Sequence, residues 1–512
     1  MRSVRKITCV VLLLVLILSG CSGLFEIKGL NTGTGAFLED NTMDAVKEDV
    51  GPAPGGTLNL FMYRPNTLNP LTTKNQTVRH LSLFIFDQLF FEVGDEEVKN
   101  GLAESYSVSQ DGLVFDFALR DKIFFHDGEQ LSADDVAFTI EAIQKAGEKS
   151  IYHRNVSGIE SVQALGRLGL KIVLKNPDPV FVNKLTFPIV PRHIFEEWPV
   201  EGHNEKLIPI GTGPYIYAAY DDNEITLTRN ESYWYLDSDE GISHPLWIDK
   251  ITFKIYANES DIMAAFQKKE VDIAYLDADT GVYSKRTDIY CNEYESDKFE
   301  ILAVSPKGLK NSPVSDEAFR KAIIEYLCWY SEKEPVENGK AELNALFSFT
   351  RQNALDRRST INALLEAGYK YDEEENILYS AKNGAKSQIV LQLLYNGVYE
   401  ERTYFSEWIS KALFEIGIKV SAQNVTSLDT QKAVASGSFD MIILGCRMPV
   451  SASLSEMPDL ISESLAISGN NFVVLPLSRK NGVLLYHKNI KGPRKPIWKN
   501  IYNGWSEWYI VE

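Results

Sequence analysis

The chain has 512 residues, 44% of them hydrophobic and 24% charged, with a formal net charge of −18. That length leaves room for two or three domains, each with its own core. The acidic balance argues against nucleic acid as a partner, since no excess of Lys and Arg is available to neutralise phosphates. Five cysteines without a Cys-x-x-Cys pair exclude a disulfide framework and a cysteine-type zinc cluster.

Arg2, Arg5 and Lys6 precede an apolar run from Ile7 to Leu18, followed by Ser19, Gly20 and Cys21. A charged start, a short hydrophobic segment and small residues at its end predict a signal peptide over residues 1–20. The run is too short to be a comfortable transmembrane helix. Leu18-Ser19-Gly20-Cys21 resembles a bacterial lipobox, in which Cys21 carries lipid and becomes the mature N-terminus. A cysteine with two or more acyl chains holds a protein stably at a membrane surface. Residues 21–55 are polar, acidic and Gly-rich, and read as a flexible tether. Cys9 leaves with the signal, so Cys291, Cys328 and Cys446 remain. Free thiols are expected there, although one bridge between them is feasible.

The globular part opens with a strand at Gly55–Leu60, then a turn at Thr67-Leu68-Asn69-Pro70. Leu81 to Phe91 reads as a helix leading into a strand, with Phe84 and Leu89 in the core. Asp111-Gly112 is a tight-turn pair, and Leu113, Phe115 and Phe117 put an apolar face on the strand after it. Asp127-Gly128 turns the chain again. Ser132 and Asp135 have capping-box spacing, Val136, Ile140 and Ile143 share one helical face, and Gly147 is the stop. Ser157 to Leu174 reads as paired strands. Gly211-Thr212-Gly213-Pro214-Tyr215 is a rigid turn into a strand, because Pro214 forbids an immediate helical donor. A second α/β region begins near Ile251. Its helices carry Phe319, Ile323, Ile324 and Leu327 on one face, and Phe405, Trp408, Ala412 and Ile416 on another. Phe439 to Gly445 is a buried strand.

The stretch Gly101–Ile143 resembles the signature block of the family 5 extracellular solute-binding proteins, the peptide receptors of ABC importers. It matches at Leu102, Ala103, Glu104, Asp111, Gly112, Leu119, Arg120, Phe125, His126, Asp127, Gly128, Ala133, Asp134, Asp135 and Val136. Further matches fall at Thr67–Pro70, Gly211–Tyr215, Arg229–Trp234, Phe319–Ile323, Ile361–Tyr369 and Phe439–Gly445, so the resemblance spans roughly residues 55 to 510. It implies an α/β, two-lobed periplasmic-binding-protein-like fold of type II, with the extra inserted domain of the peptide-binding class. Lobe I would comprise residues 56–76, 181–257 and 473–512, the inserted domain 77–180, and lobe II 258–472. Ligand would sit between lobes that close about a hinge. The resemblance also places Lys74, Asn75 and Gln76 near the cleft, and Tyr152 at the position of a cleft-lining tyrosine. It adds Gly445, Cys446, Arg447 and Met448 as the stretch that borders the ligand's amino end.

In that stretch the chain departs from the family. The aspartate that pairs with a peptide's α-ammonium is replaced by Pro449 or Val450, and Arg447 brings the opposite charge. Arg447 either faces the cleft and binds an anion, or lies outside it, solvated or ion-paired. The implied function is a lipid-anchored monomer on the extracytoplasmic face of the bacterial membrane, delivering a peptide or small solute to an ABC permease. It would break no bond and use no cofactor or metal. The alternative is a surface sensor or assembly receptor on the same fold that has lost import. A hydrolase is disfavoured, because neither G-x-S-x-G nor H-E-x-x-H occurs. His126 is expected to serve a structural hydrogen bond.

Overall fold

The computed structural model of the protein describes residues 51–94, 97–196, 207–237, 246–276, 282–334, 354–380, 386–451, 473–493 and 495–511. The expected signal peptide, the lipidation residue Cys21 and nearly all of the tether lie outside these residues. No helix among them is long and apolar enough to cross a membrane. Among the described residues, Cys291, Cys328 and Cys446 form no disulfide with one another.

Three sheets carry the architecture. The first orders Thr57–Tyr63, Lys250–Tyr256, Glu224–Arg229 and Tyr215–Tyr220, with only the first pair parallel. The second is antiparallel, in the order Ala103–Val108, Val114–Leu119, Gly169–Leu174, Ile159–Leu165. Its strand Val114–Leu119 alternates as a half-buried strand should, with Phe115, Phe117 and Leu119 inward and Asp116 outward. The third has six strands, ordered Ile273–Leu276, Val473–His487, Ile289–Val304, Met441–Arg447, Val390–Tyr395 and Lys419–Asn424.

Helix α1 (Gln76–Ile85) packs on the first sheet, and helix α2 (Ala133–Ala146) packs on the second. In α2 the reciprocal box between Ser132 and Asp135 is present, and Val136, Ile140 and Ile143 are buried. Such a cap contributes about 1 kcal/mol. Gly147 ends the helix at φ +56°, a conformation that favours glycine.

These layers enclose separate cores. One runs continuously under the first two sheets and includes Leu60, Phe84, Phe117, Ile140 and Phe253. Another lies between the third sheet and the helices Glu317–Lys333 and Glu400–Glu415, where Ile323, Leu327, Phe405, Ile409 and Ile443 meet. A fold with two such centres is the two-lobed α/β arrangement. The antiparallel ribbon of Ile289–Val304 with Val473–His487 runs from one core to the other. Leu475 and Leu477 belong to the second core, Leu484 and Tyr486 to the first. Its ladder is interrupted by register shifts between Glu295 and Phe299 and between Glu300 and Ile301. Beyond His487 the chain returns to the first core through Ile490, Ile501, Tyr502 and Trp508.

A clasp fixes the end of α1. The Gly213 amide donates to the Ile85 carbonyl at 2.9 Å, and the His126 amide donates to the Gly211 carbonyl at 2.9 Å. The His126 ring lies between the same glycines, with Nε2 3.0 Å from the Gly213 carbonyl and Nδ1 accepting from the Gly211 amide at 3.4 Å. A ring that donates on one side and accepts on the other is neutral, and burial pushes its pKa down in the same direction. A Cβ at Gly211 would lie 2.0 Å from the Ile85 carbonyl oxygen, and one at Gly213 would lie 2.6 Å from it. Only glycine allows the two backbones to approach so closely.

Candidate functional site

The clasp sets the position of one wall of a cavity of about 730 Å³. Small-solute sites commonly have such volumes. Arg79, Leu83 and Phe86 line it from α1 and its C-terminal cap, spaced i, i+4, i+7 on one helical face. Asp87, Gln88, Phe91 and Glu92 continue the wall along the chain into the strand Phe90–Gly94. Tyr152 contributes from the N-cap of the short helix after α2, and Tyr233 and Tyr235 from the segment that follows the strand Glu224–Arg229. Val450, three residues past the strand Met441–Arg447, reaches it from the six-stranded sheet. The C-terminal segment closes it through Lys499, Asn503 and Trp505.

Most charged groups on this wall are already engaged. Asp87 is buried and accepts from the Thr212 hydroxyl at 2.8 Å, the Tyr233 hydroxyl at 2.9 Å and the Trp234 indole at 2.7 Å. Burial raises its pKa, and the three donors oppose that shift. Glu92 pairs with Lys499 at 2.7 Å, with both side chains largely covered. The Lys99 ammonium lies 5.2 Å from the Tyr235 ring centroid. Burial raises the Tyr152 phenol to about 12, with the Arg79 charge pulling down and the Glu92 charge pushing up. Tyr152 is therefore a neutral O–H donor at ordinary pH.

Of the residues expected at the cleft, Tyr152 lies on this cavity. Lys74 is exposed, Gln76 is the first residue of α1, and Asn75 is its N-cap. The Asn75 side chain accepts from the Thr77 amide at 3.0 Å, a structural duty that accounts for it. The cavity takes Arg79 from this helix, one turn further on. Gly445, Cys446 and Arg447 are paired in the ladder with Glu300, Phe299 and Lys298. Met448 is buried in a core of its own, with Phe299, Ile442 and Trp498. Burial raises the Cys446 thiol to about 12, which makes it unreactive. The Arg447 guanidinium meets Asp297 at 3.1 Å and its side chain is half exposed, the ion-paired one of the two arrangements open to it. Gly445 packs against an internal charge cluster, and a Cβ there would lie 2.6 Å from Arg402 Nη2. In that cluster Glu300, nearly fully buried, meets Arg402 at 2.7 Å and Lys480 at 2.9 Å.

Arg79, Leu83, Phe86 and the Lys499–Glu507 segment were not singled out by the sequence. The helical spacing of the first three is the signal that could have found them. Among the described residues, no group of three or more His, Cys, Asp and Glu side chains is assembled to hold a metal ion.

The profile of the bacterial extracellular solute-binding proteins, family 5 Middle, matches residues 97–327. The oligopeptide-binding protein AppA of Bacillus subtilis is 24% identical over 490 residues, covering 91% of this chain and 84% of AppA. Its structure in complex with a nonapeptide superposes with a TM-score of 0.54 at 19% identity, covering 90% of this chain and all of AppA. The ABC transporter substrate-binding protein CtaP of Listeria monocytogenes gives a TM-score of 0.62 at 19% identity, with coverage of 90% and 100%. The nickel-binding periplasmic protein of Escherichia coli is 26% identical over 283 residues, 53% of this chain and 49% of that protein. The structural likenesses carry the two-lobed fold, and the relatives are binding proteins rather than enzymes. With the signature block and its clasp, they support the reading of the chain as a bacterial extracellular solute-binding protein of family 5.

Proposed function

We propose that the protein is the substrate-binding lipoprotein of an ABC importer, taking a peptide or peptide-like small solute into the cavity and delivering it to a membrane permease. The observation that carries this reading is the cavity itself. Its walls come from residues of the first core and, through Val450, from the end of a strand in the six-stranded sheet. A solute held there touches both halves and stabilises their closed arrangement, a population shift that a permease can recognise. The ribbon joining the cores, with its interrupted ladder, suits a hinge. Lobe limits near residues 56–76, 181–257 and 473–512 against 258–472, with an insertion at 77–180, fit this reading, with Val473–His487 shared between the halves. Signal cleavage before Cys21, lipid on that residue and a monomeric state at the outer face of the cell membrane complete it.

The test is calorimetric titration of the detergent-solubilised full chain with peptides of two to nine residues, followed by recovery of the ligand. Saturable binding with the peptide recovered intact is expected. Free dipeptides should bind weakly, because the position at which the family's acidic residue would meet an ammonium holds Pro449 or Val450. Turnover of any peptide, or no binding across the panel, contradicts the reading. An uptake defect on deletion separates import from a sensor role.

A further inference from the structure

The cavity's polar groups are unequal. Asp87 has three donors on its two oxygens, and Glu92 is neutralised by Lys499. Glu507, the third acidic residue of the lining, is solvent-exposed. Arg79 is different. It is half-buried in the second turn of α1, and among the described residues its guanidinium has neither a carboxylate partner nor a hydrogen bond. Tyr152, 8% exposed, lies close enough for the Arg79 charge to act on it, and its hydroxyl likewise has no partner among the described residues. A guanidinium fork beside a phenol O–H offers three or more donors and no acceptor of comparable strength, which is the chemistry that holds a carboxylate. Val450 adds only apolar surface. The chain as a whole carries −18, so an enclosed, unpaired cation is not a consequence of a basic surface.

We infer that Arg79, with Tyr152 beside it, is the residue that selects the ligand, and that the ligand is a carboxylate-bearing solute that needs no free ammonium group, such as an N-blocked peptide. The inference rests on the reading of this cavity as the solute site. A carboxylate there restores the fork's hydrogen bonds, whereas an ammonium finds every enclosed carboxylate engaged and a like charge at Arg79.

Four probes test it by calorimetry on the full chain: trialanine, its C-terminal amide, N-acetyl-trialanine and N-acetyl-trialanine amide. The expected result is that each acid binds at least about tenfold more tightly than its amide, while acetylation weakens binding by no more than about threefold. In Arg79→Ala the acid-over-amide ratio falls to about one, and Arg79→Lys restores part of it. The wild-type ratio needs no variant, so misfolding of Arg79→Ala cannot hide the answer. Amides binding as tightly as acids, an unchanged ratio in folded Arg79→Ala, or free amines favoured tenfold over acetylated probes would overturn the inference while leaving solute binding intact. Failure of all four probes to bind would remove the peptide-like reading and this inference together.

Discussion

Two regions that meet at the end of α1 use polar groups in opposite ways. In the clasp, His126 is held on both ring nitrogens, Asp87 accepts from three side chains, and Gly211 and Gly213 admit no added atom. On the cavity face of the same helix the Arg79 guanidinium, and on another stretch of the wall the Tyr152 hydroxyl, are left without hydrogen-bond partners among the described residues. Groups satisfied within the chain hold the wall, and groups left unmet face whatever enters. The difference separates framework from specificity without reference to any bound molecule.

That contrast breaks most severely at the clasp. Gly211→Ala forces a Cβ to 2.0 Å from a backbone oxygen that cannot move without shifting α1, and a loss of roughly 4 kcal/mol or more is expected in urea unfolding. Asp87→Ala strands three donors, two of them buried, and should cost about 3 kcal/mol. His80 sharpens the comparison through pH. It is buried in edge contact with Tyr275 and Tyr502, its Nδ1 has no hydrogen-bond partner among the described residues, and burial, aided by the Arg79 charge, lowers its pKa to about 3. The unfolded chain therefore binds a proton that the folded chain refuses. Stability is full above the unfolded pKa near 6.5 and falls as pH drops towards the folded value, by about 2 kcal/mol between pH 7 and pH 5. His80→Phe should flatten that slope in unfolding curves taken at the two pH values. At the other extreme, Arg79→Ala and Arg447→Ala should each leave stability within about 1 kcal/mol, since among the described residues the first has no ion pair to lose and the pair of the second with Asp297 is half exposed. Ligand titration then tells them apart. Arg79→Ala changes the acid-over-amide ratio and Arg447→Ala leaves it unchanged.

The local elements of the signature block were legible in the sequence and the cavity was not, for a physical reason. Turn glycines, the Ser132–Asp135 cap and the alternation at Phe115 and Phe117 are local features, written within a few residues of one another. The structural hydrogen bond of His126 was expected from the same block. By contrast, Arg79, Tyr152, Val450 and Lys499 come from four distant segments, and nothing in their immediate neighbours marks them as convergent. Tyr152 was singled out in advance, as was Val450 as one of two positions for the missing aspartate, both through resemblance. Asn75 drew notice because the resemblance places the stretch after Thr67–Pro70 near the cleft, yet its side chain serves as the N-cap of α1. Arg447 carried a charge into the right strand, but its partner Asp297 is 150 residues away in the chain.

The measurement that most directly tests the central claim is native mass spectrometry of the full chain, purified in detergent and sprayed before and after denaturation. The account predicts a solute of a few hundred daltons, released unaltered on unfolding and returned to the emptied protein by titration. A protein that carries nothing, and whose emptied form binds no acidic or peptide-like solute offered to it, would contradict the claim.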